Sequence, residues 1–220
     1  MYKISTKINN LFKTSINKGF TLVELMVVIS IFVIISGVAI FDYGNFRSTV
    51  SLQNLTDDIA LSIRKAQGFA IGARAVSGTT DFNKSYGMHF STLDILNQLD
   101  GSKKSFLMFN SDASNKFYDY NTDTVCGSPN ECMELFKIST ADIIKEIKSD
   151  DGSVLNSIDI SFKRPDSKAF FCSRSTKVNS CDIRNISRVD ITISNGQTDS
   201  SKLKTRVISV QNTGQISISQ

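Results

Sequence analysis

The chain has 220 residues, 40% of them hydrophobic, with 25 Lys and Arg against 21 Asp and Glu for a formal net charge of +4. The first 19 residues hold four of those lysines and no acid, so the remainder sets 21 bases against 21 acids and is formally neutral. That balance opposes nucleic-acid binding through global charge, and a single histidine leaves little from which to assemble a catalytic or zinc centre.

Lys3, Lys7, Lys13 and Lys18 lead into Gly19-Phe20-Thr21-Leu22-Val23-Glu24, followed by an apolar run to Phe41 in which Glu24 is the only charge. The 22 residues from Phe20 to Phe41 would make a helix about 33 Å long, enough for the hydrocarbon core of a bilayer. Lysines before the run and Asp42, Arg47, Asp57 and Asp58 after it predict a cytoplasmic N-terminus, with everything beyond Phe41 outside. A carboxylate within such a span costs roughly 2.5 to 3.5 kcal/mol near the centre and less toward an end, so Glu24 calls for a partner.

Three readings compete for this start. A plain signal anchor explains the length and the lysines but not Glu24. A secretory signal peptide could use the small residues Gly37-Val38-Ala39 as a cleavage site, but its apolar core is usually about 7 to 15 residues and free of acids. The third reading accounts for every part. Lys18-Gly19-Phe20-Thr21-Leu22-Val23-Glu24-Leu25 resembles the processing motif of type IV pilins and type II secretion pseudopilins. The resemblance implies cleavage between Gly19 and Phe20 by a membrane-embedded prepilin peptidase, N-methylation of Phe20, and assembly into a filament through a membrane platform.

The chemistry of that motif follows from its residues. Cleavage would expose an ammonium at Phe20, and an ammonium and a carboxylate removed from water tolerate it best as a pair. Glu24 and the Phe20 amine of an adjacent subunit could form that pair. Gly19, lacking Cβ, lets the backbone lie extended against a protease. One departure stands out. Many pilins carry a proline where this chain has Phe41, and no proline precedes Pro129, although Gly37 and Gly44 could each loosen the helix at about 1 kcal/mol.

Leu52, Leu55, Ile59, Ile63, Ala66 and Ala70 recur at spacings of three and four, which extends one helix from about Thr21 to Arg74 with an apolar packing face. Beyond Thr79 the texture becomes short runs between Asn, Asp, Ser and Gly. Strands are expected at Tyr86–Phe90, Phe106–Asn110, Lys116–Tyr120, Leu135–Ile138, Ile158–Lys163, Ala169–Phe171, Val189–Ser194, Thr205–Gln211 and Gln215–Ser219. Ala141–Lys148 reads as a short helix. Asn212-Thr213-Gly214 reads as a hairpin turn. Ser85 to Phe90, Phe106 to Phe109, Ile160 to Pro165 and Arg206 to Val210 with Gly214-Gln215-Ile216 resemble GspH/FimT-type pseudopilins and minor pilins.

The expected fold is therefore α+β and pilin-like, one long N-terminal helix packed on a C-terminal antiparallel sheet domain. Its parts are a cleaved basic leader (1–19), a transmembrane and assembly helix (20–41), its amphipathic continuation (42–78) and a β-rich head (79–220), about 140 residues that can bury a core.

Cys126, Cys132, Cys172 and Cys181 all lie on the predicted outer side. Even number, local spacing and compartment favour disulfides Cys126 to Cys132 and Cys172 to Cys181 among three connectivities. Zinc is opposed by spacing and by His89 being the one histidine. From Lys163 to Arg188 seven bases face two acids. Within that stretch Arg164, Lys168, Arg174 and Lys177 bracket Phe170 and Phe171 and could contact a DNA backbone during uptake; a solvated surface or an inter-subunit patch explains them as well. No cofactor, metal or catalytic constellation is expected, and His89 reads as a surface or half-buried strand residue. The functional expectation is a minor pilin or pseudopilin, a filament subunit acting in initiation or at the tip. Its partners would be other pilins, the prepilin peptidase, the assembly platform and, before assembly, membrane lipid.

Overall fold

The computed structural model describes residues 19–72, 84–93, 102–112, 117–119, 126–127, 131–174 and 186–219, the side chains at 39, 41, 42, 45 and 174 excepted. The chain divides into two compact units, Met1–Gly44 and Asn45–Gln220. Helix α1, Leu22–Ile71, runs through the boundary; the end expected near Arg74 lies outside the described residues.

In the first unit, α1 opens on Thr21. Its hydroxyl accepts the Glu24 N–H at 3.2 Å and its carbonyl accepts the Leu25 N–H at 3.1 Å. Thr21-Leu22-Val23-Glu24 thus has the spacing of a capping box, with the hydroxyl satisfying one of the N–H groups that a helix start leaves without an intrahelical partner. Every large apolar side chain from Leu22 to Ile40 that is described is more than half exposed. Ser30 returns its hydroxyl to the Met26 carbonyl at 2.7 Å, so it adds no unsatisfied polar group to that surface. Among the described residues no helix is long and apolar enough to cross a membrane. The span expected over residues 20–41 includes Ala39 and Phe41, whose side chains lie outside the description.

The second unit adds ten strands in chain order. They are β1 (Lys84–Ser91), β2 (Ser105–Asp112), β3 (Cys132–Lys137), β4 (Ile143–Ser149), β5 (Val154–Leu155), β6 (Ser157–Phe162), β7 (Ala169–Arg174), β8 (Arg188–Ser194), β9 (Thr205–Gln211) and β10 (Ile216–Ser219). They form two five-stranded antiparallel sheets, ordered β3-β2-β1-β6-β7 and β10-β9-β8-β4-β5. Only Asn156 separates β5 in the second sheet from β6 in the first, and its carbonyl accepts the N–H and hydroxyl of Thr92 at 2.8 and 3.1 Å.

One core joins the helix and both sheets. Leu52, Ile59, Ile63, Ala66 and Ala70 of α1 are buried as their periodicity predicts, against Met88, Phe90 and Ile160 from the first sheet and Ile144, Ile191 and Ile208 from the second. Each side chain of this size contributes about 1.5 to 3 kcal/mol when fully withdrawn from water. The β9–β10 connection is the expected hairpin: Gly214 sits at φ 86° and its N–H reaches the Gln211 carbonyl at 2.9 Å. Gln67 of α1 donates to the carbonyls of Ser167 and Gly214 at 3.0 and 3.1 Å, pinning that turn beside the β6–β7 loop.

Two expected elements are corrected. Ala141–Lys148 is not helical but contains β4. Pairing with β8 skips Lys145, between Ile144 opposite Ile193 and Glu146 opposite Thr192. This bulge turns Ile144 and Ile147, three residues apart, both into the core, which mimics a helical repeat. The strand expected at Lys116–Tyr120 is absent from its described part, 117–119. Consecutive Phe117 and Tyr118 are both buried there, which an alternating strand with one wet face does not allow.

Tyr118 belongs to a second, smaller core on the outer face of the first sheet, with Leu107, Phe109 and Cys132. Phe109 lies directly over Gly87, where a Cβ would stand 2.5 Å from the ring and 2.6 Å from the Ile160 carbonyl oxygen. Gly87→Ala is expected to destabilise the protein by about 1 to 3 kcal/mol through this overpacking, read as a lower urea midpoint with an unchanged slope.

Candidate functional site

The residues around the predicted cleavage point have a simple local geometry. Gly19 and Phe20 precede the helix and are exposed, Phe20 by 77%. A Cβ at Gly19 would meet nothing within 4 Å. The chain's own structure therefore does not require glycine there.

Glu24 occupies the first turn of α1, exposed, with its N–H capped by Thr21. A carboxylate at a helix N-terminus gains about 0.3 to 1 kcal/mol from the aligned peptide dipoles. That is smaller than the roughly 2.5 to 3.5 kcal/mol cost of a charge deep in hydrocarbon. Capping alone does not explain an acid here, and a cationic partner is still needed once water is removed.

The cysteines are placed unevenly. Cys126 and Cys132 form a disulfide with a Cα separation of 4.7 Å, and Cys132 is buried in the outer core. Cys172 is also disulfide-bonded; Cys181 lies outside the described residues. Of the basic group, Arg164 and Lys168 are exposed on either side of Pro165, whereas the Arg174 side chain and Lys177 lie outside the described residues. Nothing described brings these four cations together.

The least expected feature is His89, which is fully buried and not on the surface. Its Nδ1 lies 2.5 Å from Asp159 Oδ1, with the carboxylate 1% exposed. Antiparallel register sets the two residues opposite each other on β1 and β6, with Leu107 and Cys172 completing the row. The Tyr118 ring covers His89 at 5.8 Å between centroids. The segment carrying Tyr118 is fastened by Glu131, which accepts the Asp119 N–H at 2.8 Å and the Ser111 hydroxyl at 3.3 Å. Ser161 Oγ is buried nearby without a hydrogen-bond partner among the described residues. A histidine oriented by a carboxylate resembles half of a hydrolytic triad, but this pair is buried, at 0% and 1% exposure.

Alternation along β6 suggests that Asp159 and Ser161 face water, yet all six residues of the strand are buried. The cover comes from the Tyr118 segment, about forty residues earlier in the chain, and has no periodicity to reveal it.

Comparison with known proteins bears on the N-terminal part. Residues 15–40 match the family described as the prokaryotic N-terminal methylation motif. The chain is also similar to two fimbrial proteins of Pseudomonas aeruginosa, each 32% identical over 89 residues, which is 40% of this chain and 56% of the relative. It thus spans about half the length of the curated relatives it matches. No solved structure gives a significant match. Motif, relatives and the observed helix on antiparallel sheets are together similar to what type IV pilin-family proteins carry.

Proposed function

We propose that the chain is a minor pilin or pseudopilin of the GspH/FimT type, built into a type II secretion pseudopilus or a type IV pilus-like filament, in initiation or at the tip. Residues 1–19 are the leader removed by a prepilin peptidase, and Phe20 is N-methylated. Residues 20–41 hold the subunit in the inner membrane with its N-terminus cytoplasmic. Residues 42–71 continue the helix, and 79–220 form the head outside. Other pilin subunits, the assembly platform and lipid before assembly are its partners.

The observation that carries this reading is the apolar surface of Leu22 to Ile40, whose described large side chains are all more than half exposed, with one acid in its first turn. A contiguous apolar area of that extent has to be covered by lipid or by other subunits. Glu24 then finds its cation in the Phe20 amine of a neighbour, a pair best tolerated away from water. The open space around Gly19 supports the same reading, because a glycine that the fold does not require answers to something outside it. A protease groove accepting extended backbone is such a demand.

Intact mass of the protein from its native host provides the test. Expected is a chain beginning at Phe20, one methyl group heavier than the unmodified sequence and lacking the hydrogens of its disulfides. Retention of Met1, or cleavage after Ala39, would overturn the assignment.

A further inference from the structure

The second unit carries its charge unevenly. At the end where α1 enters it, the β8–β9 loop, residues 195–204, is fastened to the helix. Asn195, 4% exposed, donates from Nδ2 to Ser48 Oγ at 3.1 Å and to the Lys202 carbonyl at 2.9 Å, and its Oδ1 accepts the Lys204 N–H at 3.1 Å. Lys204 Nζ donates to Thr49 Oγ1 at 2.6 Å. Gly196 turns the loop at φ 68°, where a Cβ would stand 2.3 Å from the Ala141 carbonyl oxygen. The Asp199 carbonyl accepts the N–H groups of Lys202 and Leu203 at 3.0 and 2.9 Å. A loop tied in this way keeps its shape without a ligand, and its outer residues 196–202 stay exposed.

Cations collect on this end. Arg47 is exposed next to Ser48, Lys202 is exposed on the loop, and Arg206 stands half-buried at the end of the Ile144–Ile193–Arg206 row. None of these three side chains makes a hydrogen bond or ion pair with a described residue. Lys104 adjoins them, its Nζ donating to the carbonyls of Thr140 and Asp142 at 2.7 and 2.8 Å. The carboxylates described nearby are already engaged. Asp142, 2% exposed, accepts the hydroxyls of Ser51 and Thr140, and Asp199 accepts the N–H and hydroxyl of Ser201. Because the chain beyond residue 19 is formally neutral, the positive excess is local to this face.

We infer that this face binds the anionic headgroups of the membrane that holds the subunit before assembly. The inference rests on reading residues 20–41 as the membrane segment. Arg47 follows Phe41 by six residues, a separation of about 9 Å as helix and of at most about 21 Å fully extended. While the segment is inserted, the face is therefore tethered beside the lipid phosphates, whose layer is about 5 to 8 Å deep on each side of the hydrocarbon. Tyr43, 65% exposed and two residues past Phe41, is of the type enriched at that depth. Each Lys or Arg close to an anionic bilayer strengthens its attraction about fivefold, within a screening length of about 8 Å. Nucleic acid offers the same phosphates, but a neutral chain does not draw it in from solution, whereas the lipid is already within reach.

Full-length protein reconstituted into vesicles of phosphatidylcholine, with or without phosphatidylglycerol, and treated with a membrane-impermeant acetylating reagent tests the contact, each lysine being read by mass spectrometry. Acetylation of Lys202 is expected to slow about fivefold when phosphatidylglycerol is present. Lys168 is the control. It is exposed on the β6–β7 loop beside Gln67, nineteen residues or about 28 Å along α1 from Ser48, and its rate should not change. Arg47→Glu should reduce the slowing of Lys202 to about twofold or less, and salt at about 1 M, where screening acts within about 3 Å, should abolish it. Equal rates for Lys202 in the two lipids, or equal slowing of Lys168, overturns the contact. Equal protection of Lys202 in phosphatidylcholine vesicles by short duplex DNA or by inorganic phosphate also overturns it, because the face would then take phosphate from solution. Flotation of the same vesicles distinguishes the two failures. Protein that floats with both lipids yet shows no difference at Lys202 loses the headgroup contact alone. Protein that floats with neither loses the membrane reading, and the contact with it.

Discussion

Glu24→Ala is expected to leave cleavage after Gly19 nearly unchanged while removing the chain from assembled filaments. Gly19 and Phe20 precede the helix and are exposed, and nothing in that geometry depends on the Glu24 carboxylate. Under the proposed pairing assembly differs, because the truncated subunit would leave a neighbour's ammonium in an apolar setting without its counter-charge. Removing one partner of a buried pair costs about 3 to 5 kcal/mol, and every 1.4 kcal/mol is about tenfold in an association constant. The loss should therefore exceed about a hundredfold at each contact. Glu24→Gln keeps a hydrogen-bond acceptor and should fall between the two. Intact mass reports cleavage, and the amount of the chain in sheared filaments reports assembly. Filament incorporation of Glu24→Ala at the normal level would falsify the role assigned to this residue.

The second large effect concerns the β-sheet unit, Asn45–Gln220. Asp159→Ala should destabilise it by about 1 to 3 kcal/mol, because the buried His89 Nδ1 loses the carboxylate it is hydrogen-bonded to. That is a large fraction of the roughly 5 to 15 kcal/mol by which an ordinary domain is stable. The companion variant carries both His89→Leu and Asp159→Leu. Replacing both partners with apolar groups removes the stranded polar atom, so the double change should be much milder than the sum of the singles. Urea unfolding followed by near-ultraviolet circular dichroism supplies all the corners of that cycle. A loss under about 1 kcal/mol for Asp159→Ala, or simple additivity, would mean that the pair is not a coupled unit.

What the sequence discloses depends on how far apart the determining residues lie. The motif from Lys18 to Leu25 is legible because its demands fall on neighbouring residues and concern processing outside the fold. The buried face of α1 is legible for a similar reason, since Leu52 to Ala70 repeat with the helix turn. β1, β2, β8 and β9 emerge from short apolar runs bounded by polar turns. β4 does not, because its bulge at Lys145 gives a strand the spacing of a helix. The burial of His89 and Asp159 is hidden for another reason. Alternation says which residues share a face of a strand, not whether something far along the chain will cover that face. The groove between α1 and β3, lined by Leu55, Leu61, Phe106 and Phe136, is invisible in the same way, being assembled from helix and sheet residues about forty to eighty positions apart.

The passage from β5 to β6 through Asn156 has a mechanical corollary. A chain that leaves one sheet and enters the next within a single residue acts as a rivet between the two layers. Neither layer can slide or peel away alone without also breaking β4–β5 or β1–β6 pairing. Separating the two layers therefore takes ladder hydrogen bonds from at least one of them.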